Sequence, residues 1–381
     1  MMKYVIIRCE DLAPARDEID ALLEGAKTAH LHDLAQAGAA GILRPAPKQR
    51  AIDRFHLHRA LLGLDAQEAA AAPAECYAAG AKLKLVEGET AWCCELVTHH
   101  DGKIVDPTAG NIPSKEGHVL VEALNEELRS DTRRWVQGEG SHHLLVTRDP
   151  ALAVDGTWSI HPPELLIGQS WKRGLPKAQG RESLLALIGQ ASKILEAHAV
   201  NRVRIDLGEN PANLLWLWGA AGSHSASTFT ERTGRSGAMV SSGLPLRGLA
   251  QVLGLAWHDA PKALDEGPLQ RLARTVADLL RACDLVYVHV VIDSSDPVER
   301  LCAMERIDHV LLKPMTALLP TFGSWRLLTV IDDRKQRTVP FVAIGTGVTP
   351  QPIAQLDAEH FARSPLGFTD GLKLSAWFTS Q

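Results

Sequence analysis

Short apolar runs rich in β-branched residues recur near both ends of this chain, and stretches with helical spacing separate them. That alternation restricts the fold more than any other feature. Residues 4–7 open the series, and 238–242, 285–291, 327–331 and 341–344 continue it after a long interval. Apolar runs of this length without polar alternation suit strands buried on both faces of a parallel sheet. Helical spacing falls between or beside them over 17–37, with Gly38 as a stop, and over 52–63, 246–253, 269–282 and 298–318. Strand followed by helix followed by strand favours parallel crossovers.

The middle of the chain has a different texture. An alanine-rich stretch, 66–81, predicts a helix interrupted at Pro73. Shorter runs at 82–86, 91–98, 103–105, near Trp135 and at 144–147 predict strands of a smaller mixed sheet, with helices over 114–128 and 182–197 and a Pro- and Gly-rich loop over 161–180. At 381 residues the chain exceeds what one core organises. The expected architecture is therefore an α/β core of mostly parallel sheet, made from residues 1–65 together with 235–381, interrupted by a smaller α/β domain over 66–234.

Composition removes several classes of function. Hydrophobic residues at 45% and charged residues at 22% are globular proportions, which argues against disorder. A net charge of −5 without a basic run gives nothing to hold a phosphate backbone, so nucleic acid is not an expected partner. The six cysteines include no C-x-x-C pair, which predicts reduced thiols rather than a zinc cage or disulfide framework. The apolar run after Met1 is too short for a signal peptide or a membrane span, so a cytoplasmic location and no membrane partner are expected.

The most specific string runs from Asn201 through Arg204, Gly208, Ala212, Asn213, Trp216 and Trp218 to Gly219. In its spacing it closely resembles the N-x-x-R-x-x-x-G-x-x-x-A-N-x-x-W-x-W-G segment of archaeal-type cofactor-independent phosphoglycerate mutases, members of the alkaline-phosphatase superfamily. Weaker matches follow in the same order along nearly the whole chain, at 3–7, 60–65, 104–112, 284–289, 305–308 and 339–341. The resemblance implies an alkaline-phosphatase-like, mostly parallel sheet core flanked by helices, with an inserted substrate-binding domain.

It also implies a chemistry, in which two divalent metals held by Asp and His activate a serine that carries the phosphoryl group. Here the chain departs from the pattern. The family G-D-G is Cys9-Glu10-Asp11, and counting back from Gly63 puts Arg54 at the nucleophile position, with no serine between Met1 and Gly63. The next metal segment reads Asp293-Ser294-Ser295-Asp296-Pro297, and the last begins Asp332-Asp333 without histidine, Asp332 alone matching. A degenerate member is the reading this implies: no mutase activity, no expected cofactor, and a binding, regulatory or partner-subunit role. Its expected partners are a small phosphorylated metabolite or an intact paralogue. The alternative is a divergent metal-dependent phosphomutase or phosphohydrolase acting on a small phosphorylated or phosphonate acid. In that case Mg²⁺ or Mn²⁺ would sit among Glu10, Asp293, Asp296, Asp332 and Asp333, while Arg54, Arg204 and Arg247 would hold the anion, and His142 and Asp106 are further substrate-binding candidates.

Other residues receive plainer readings. His30, His32, His56 and His58 form i, i+2 pairs that diverge on a helix and are expected at the surface, as are His99, His100, His142 and His143. Arg202 and Arg204 are expected to share a strand face, and Trp216 and Trp218 to pack between structural elements. Residues 219–227 read as a flexible connection. Ser223, Ser225, Ser241 and Ser242 lack a G-x-S-x-G elbow, which removes the serine-hydrolase class.

Overall fold

The first strand, β1 (Lys3–Asp11), shows why the alternation was informative: every residue from Tyr4 to Asp11 is buried, as a central parallel strand requires. The computed structural model describes residues 2–12, 22–44, 54–65, 71–153, 160–175, 177, 180–222, 227–294, 296–333 and 337–380. The helical residues expected over 17–21 and 66–70, the start of the 52–63 helix, and Ser223 and Ser225 lie outside them. In chain order the remaining strands are β2 (Ala39–Leu43), β3 (Thr90–His100), β4 (Lys103–Asp106), β5 (Arg133–Glu139), β6 (His142–Thr147) and β7 (Leu214–Gly222). They continue with β8 (Gly237–Ser241), β9 (Ala256–Asp259), β10 (Leu285–Ile292), β11 (Trp325–Asp333), β12 (Val339–Gly345) and β13 (Gly367–Phe368).

The chain divides into two compact units. The first comprises residues 1–66, 227–243 and 253–381. Its eight-stranded sheet has the order β13-β2-β12-β11-β1-β10-β8-β9. β1, β8, β9, β10 and β11 run parallel, whereas β12 pairs antiparallel with both β11 and β2. Only five residues separate Asp333 from Val339, too few for a parallel crossover, so β12 returns beside β11 in the opposite direction. Helices Ala29–Ala37, Glu266–Ala282 and Pro297–Arg306 supply buried apolar residues such as Leu31, Leu269, Val276 and Met304 to the core beside this sheet. Helix Arg54–Leu61 packs with helix Gly371–Thr379.

The second unit comprises residues 67–226 and 244–252. Its five-stranded sheet is antiparallel throughout, with β3 at the centre between β6 and β7. Residues 82–86, expected as a strand, form none, and Pro73 begins the Pro73–Gly80 helix instead of interrupting a longer one. Pro suits a first helical turn because its missing N–H has no partner there. Trp92 and Trp216 are fully buried and donate to the carbonyls of Leu152 and His161, at 3.1 and 2.9 Å. Helix Leu244–Val252, expected with the core, is grouped with this unit because it presses on helix Pro73–Gly80. A Cβ on Gly248 would lie 1.7 Å from the Cys76 carbonyl oxygen, and one on Gly80 would lie 2.0 Å from that of Leu244.

Candidate functional site

Strand register assembles one polar cluster at the carboxyl ends of the central strands, the edge where open α/β sheets place their ligands. Arg8 and Glu10 lie two residues apart on β1 and so point to the same face. Arg8 is paired with His289 of β10, and Glu10 with Asp332 of β11. One turn of helix separates Arg54 from His58, which brings both side chains to this face. All of these residues belong to the first unit.

Two guanidiniums meet two carboxylates there. Arg8 Nη2 stands 2.5 Å from Asp332 Oδ2 and 3.5 Å from Glu10 Oε2, while Arg8 Nη1 donates to the Arg54 carbonyl at 3.1 Å. Arg54 Nη2 lies 3.3 Å from Asp332 Oδ1, and its Nε 3.7 Å from Glu10 Oε1. Arg8 is wholly buried, whereas the Arg54 side chain keeps 22% of its surface. Burial works against the charge on Arg8, yet Glu10 and Asp332 more than offset it and hold its pKa above the ordinary arginine value. The opposite face carries a second set: Arg300 pairs with Asp11 in full burial, and Asp333 accepts from the Leu22 amide at 3.1 Å.

Imidazoles complete the cluster. His289 Nε2 lies 3.0 Å from Glu10 Oε2 and its Nδ1 lies 3.0 Å from Ser241 Oγ, while His58 Nδ1 lies 2.7 Å from the Tyr287 hydroxyl. Desolvation lowers the pKa of both histidines; Arg8 and His289 add to the effect at His58, whereas Glu10 opposes it at His289. The surface expectation thus fails for His58, which is 4% exposed, and in the second unit for His143, which is 1% exposed. Among the described residues, Glu10, His58 and His289 form the group whose ligand atoms come within 4.8 Å of one another. Ser241, His289 and Glu10 also form a serine–imidazole–carboxylate chain, but Ser241 has no exposed surface from which to reach a substrate.

The other candidates fall elsewhere. Asp293 and Asp296 are exposed and do not converge with Glu10; Asp296 caps helix Pro297–Arg306 by accepting from the Val298 amide. Arg202 and Arg204 sit on helix Ala199–Asp206, not on a strand, so Arg202 is exposed while Arg204 is buried. Arg204 donates to the carbonyls of Asn210 and Ala109 at 2.9 and 2.8 Å and pairs with Glu116 at 2.6 Å and Glu209 at 3.0 Å. Asp106 accepts from Thr108 and Gly110 amides and from Asn210 Nδ2, all within 2.8 Å. Both side chains are thereby used in holding one loop of the second unit. His142 pairs with buried Glu95, which also accepts from Trp218 Nε1 at 3.2 Å, and Arg247 is half-buried on helix Leu244–Val252. Arg8, His289 and Tyr287 were not among the expected site residues, and Ser241 was considered only as a hydrolase nucleophile and set aside; the available signal was a charged i, i+2 pair closing an otherwise apolar strand.

With this geometry in place, comparison with known proteins is informative. The profile of the 2,3-bisphosphoglycerate-independent phosphoglycerate mutase family matches residues 35–201. A protein of that name from Methanosarcina acetivorans is 30% identical over 295 residues, covering 76% of this chain and 73% of the relative. The chain belongs to this family. Another member, from Methanothrix thermoacetophila, is 28% identical across 97% of both chains. The structure of a cofactor-independent phosphoglycerate mutase from Thermoplasma acidophilum shares the fold at a TM-score of 0.56, with 23% identity and 99% of each chain covered. A Pyrococcus horikoshii protein shares it at a TM-score of 0.66, with 18% identity, covering 99% of this chain and 96% of its own. The expected family and α/β class are both met. Among the described residues no helix is long and apolar enough to cross a membrane.

Proposed function

We propose that this family member does not interconvert phosphoglycerates and acts as a binding, regulatory or partner-subunit protein. The observation that carries the reading is the setting of Arg54: at the position that counting back from Gly63 assigns to the nucleophile, a guanidinium leans on Glu10 and Asp332. A guanidinium stays protonated and cannot attack phosphorus. The hydroxyls of Ser241 and Tyr287 are fully buried and already engaged by imidazoles. Two divalent cations do not fit this donor set. Glu10 and Asp332 balance the charges of Arg8 and Arg54, and each added ion would bring uncompensated positive charge into a buried site. Incubation with 3-phosphoglycerate or 2-phosphoglycerate and Mn²⁺ is expected to give no turnover above the protein-free control. Robust turnover that disappears on chelation would defeat the proposal.

A second reading, metal-dependent phosphotransfer on a small phosphorylated or phosphonate acid, is favoured by the proximity of Glu10, His58 and His289. Three N and O donors meet the number that a catalytic zinc requires, and Mg²⁺ or Mn²⁺ would draw more on the carboxylates. Elemental analysis of the purified chain decides it: a stoichiometric divalent metal supports this reading, and its absence after growth in metal-replete medium removes it.

A further inference from the structure

We infer that Arg8 is a resident cation standing in for a metal ion, and that Glu10, Asp332, His289 and His58 become a divalent-metal site only when its guanidinium is removed. The inference rests on the reading that the centre works without metal, and adds which residue makes it so. A single atom, Arg8 Nη2, is within reach of both carboxylates, at 2.5 Å from Asp332 and 3.5 Å from Glu10. The place where both anions converge is therefore filled. Arg54 reaches the remaining oxygens from the partly exposed side at 3.3 and 3.7 Å and leaves no comparable convergence behind it.

The imidazoles around this point are arranged as ligands are. Each has its Nδ1 beside a hydroxyl, His58 at Tyr287 and His289 at Ser241, and the Nε2 of His289 lies 3.0 Å from Glu10. A second hydrogen-bonding partner on the far nitrogen is how metal-binding histidines are held in one tautomer. Glu10, His58 and His289 offer ligand atoms within 4.8 Å of one another, and Asp332 is tied to Glu10 through Arg8. Donors for one ion are thus present, whereas the charge balance is not. Among the described residues, two guanidiniums face two carboxylates with Arg8 in place; without it, that set has one positive charge fewer and an opening where the guanidinium had been.

The experiment compares the full-length wild type with Arg8→Ala, Arg8→Met and the double variant Arg8→Ala/Glu10→Gln, using Zn²⁺ as the probe. Bound zinc is counted by elemental analysis after dialysis, and thermal unfolding is followed with zinc and with chelator. The wild type should retain no zinc at this centre and melt at the same temperature in both. At least one single variant should bind one zinc per chain and melt higher with zinc than with chelator, and the double variant should lose both effects. A variant that folds only with zinc would support the inference equally. Stoichiometric zinc in the wild type that Glu10→Gln abolishes would overturn it. So would failure of both Arg8 variants to gain zinc, folded or not, or zinc gained without dependence on Glu10. Phosphoglycerate turnover is not read here, so a failed outcome would leave the proposed loss of mutase activity standing on its own assay.

Discussion

Arg54 and Arg8 carry similar charge but differ in what their removal should cost. Arg8 is fully buried between two carboxylates, and Arg8→Ala removes the fully buried one of the two guanidiniums that face Glu10 and Asp332 among the described residues. Losing one partner of a buried ion cluster typically costs about 3–5 kcal/mol, and urea unfolding in chelator should show a loss of that order. Arg54 keeps solvent contact at longer distances, so Arg54→Ala should cost about 1 kcal/mol or less in the same experiment. A larger loss from Arg54→Ala than from Arg8→Ala would contradict the assigned geometry. Arg54 was legible because its place follows from counting back along a helix from Gly63. Arg8 was not, because an arginine at the end of an apolar run ordinarily marks the end of a buried strand, and only the register with β10 and β11 shows that it stays inside. His58 was misjudged for a related reason: comparison with His56 stressed divergence, while the spacing to Arg54 set the face that matters.

Elements were most legible where burial is continuous. β1, β10 and β11 were expected from unbroken apolar runs, and the structure has them central and parallel. β2, with sequence AAGIL, was missed because small residues carry little strand signal until they pack. Helix Ala199–Asp206 was read as a strand from the two-residue spacing of its arginines, although Asn201 and Arg204, both buried, have the i, i+3 spacing of a helix face. The expected 298–318 helix passes through a wider π turn at Ile307–Leu312 just before Pro314, whose ring nitrogen has no hydrogen for the helical ladder. Backbone contact between helices Pro73–Gly80 and Leu244–Val252 gives a further test. Gly248→Ala forces a methyl group into the Cys76 carbonyl and should destabilise by about 3 kcal/mol or prevent folding, whereas Gly189→Ala, with open space around its Cβ position, should be neutral or stabilising in thermal unfolding. Equal effects at the two positions would argue against the close approach.

Across the whole molecule, the division into a mostly parallel sheet and an antiparallel sheet followed from the change in sequence texture, while the neutral polar cluster required three strands and a helix to be placed together. Both units contain buried imidazoles whose surroundings disfavour the charged form. Burial and nearby imidazoles bring the His143 pKa down to about 3, and His58 and His289 are also lowered from 6.5. Once unfolded, these side chains bind protons below about pH 6.5 while the folded chain resists doing so, so their contribution is complete above that pH and falls as acid is added. Stability by urea unfolding should therefore decline from pH 7 towards pH 5, and a folded His143→Gln variant should decline less steeply; an unchanged slope would remove His143 from the account. The pairing of β1 with β11 has a consequence for folding too. Glu10 faces Asp332 and Asp11 faces Asp333, with each pair served by arginine or amide donors on its own side of the sheet. Shifting β1 by one residue would turn Arg8 and Glu10 towards the side of Arg300 and bring Cys9 among the carboxylates. Strand alignment is thereby verified by charge at its last residues, a checksum that a misthreaded chain fails on both faces at once.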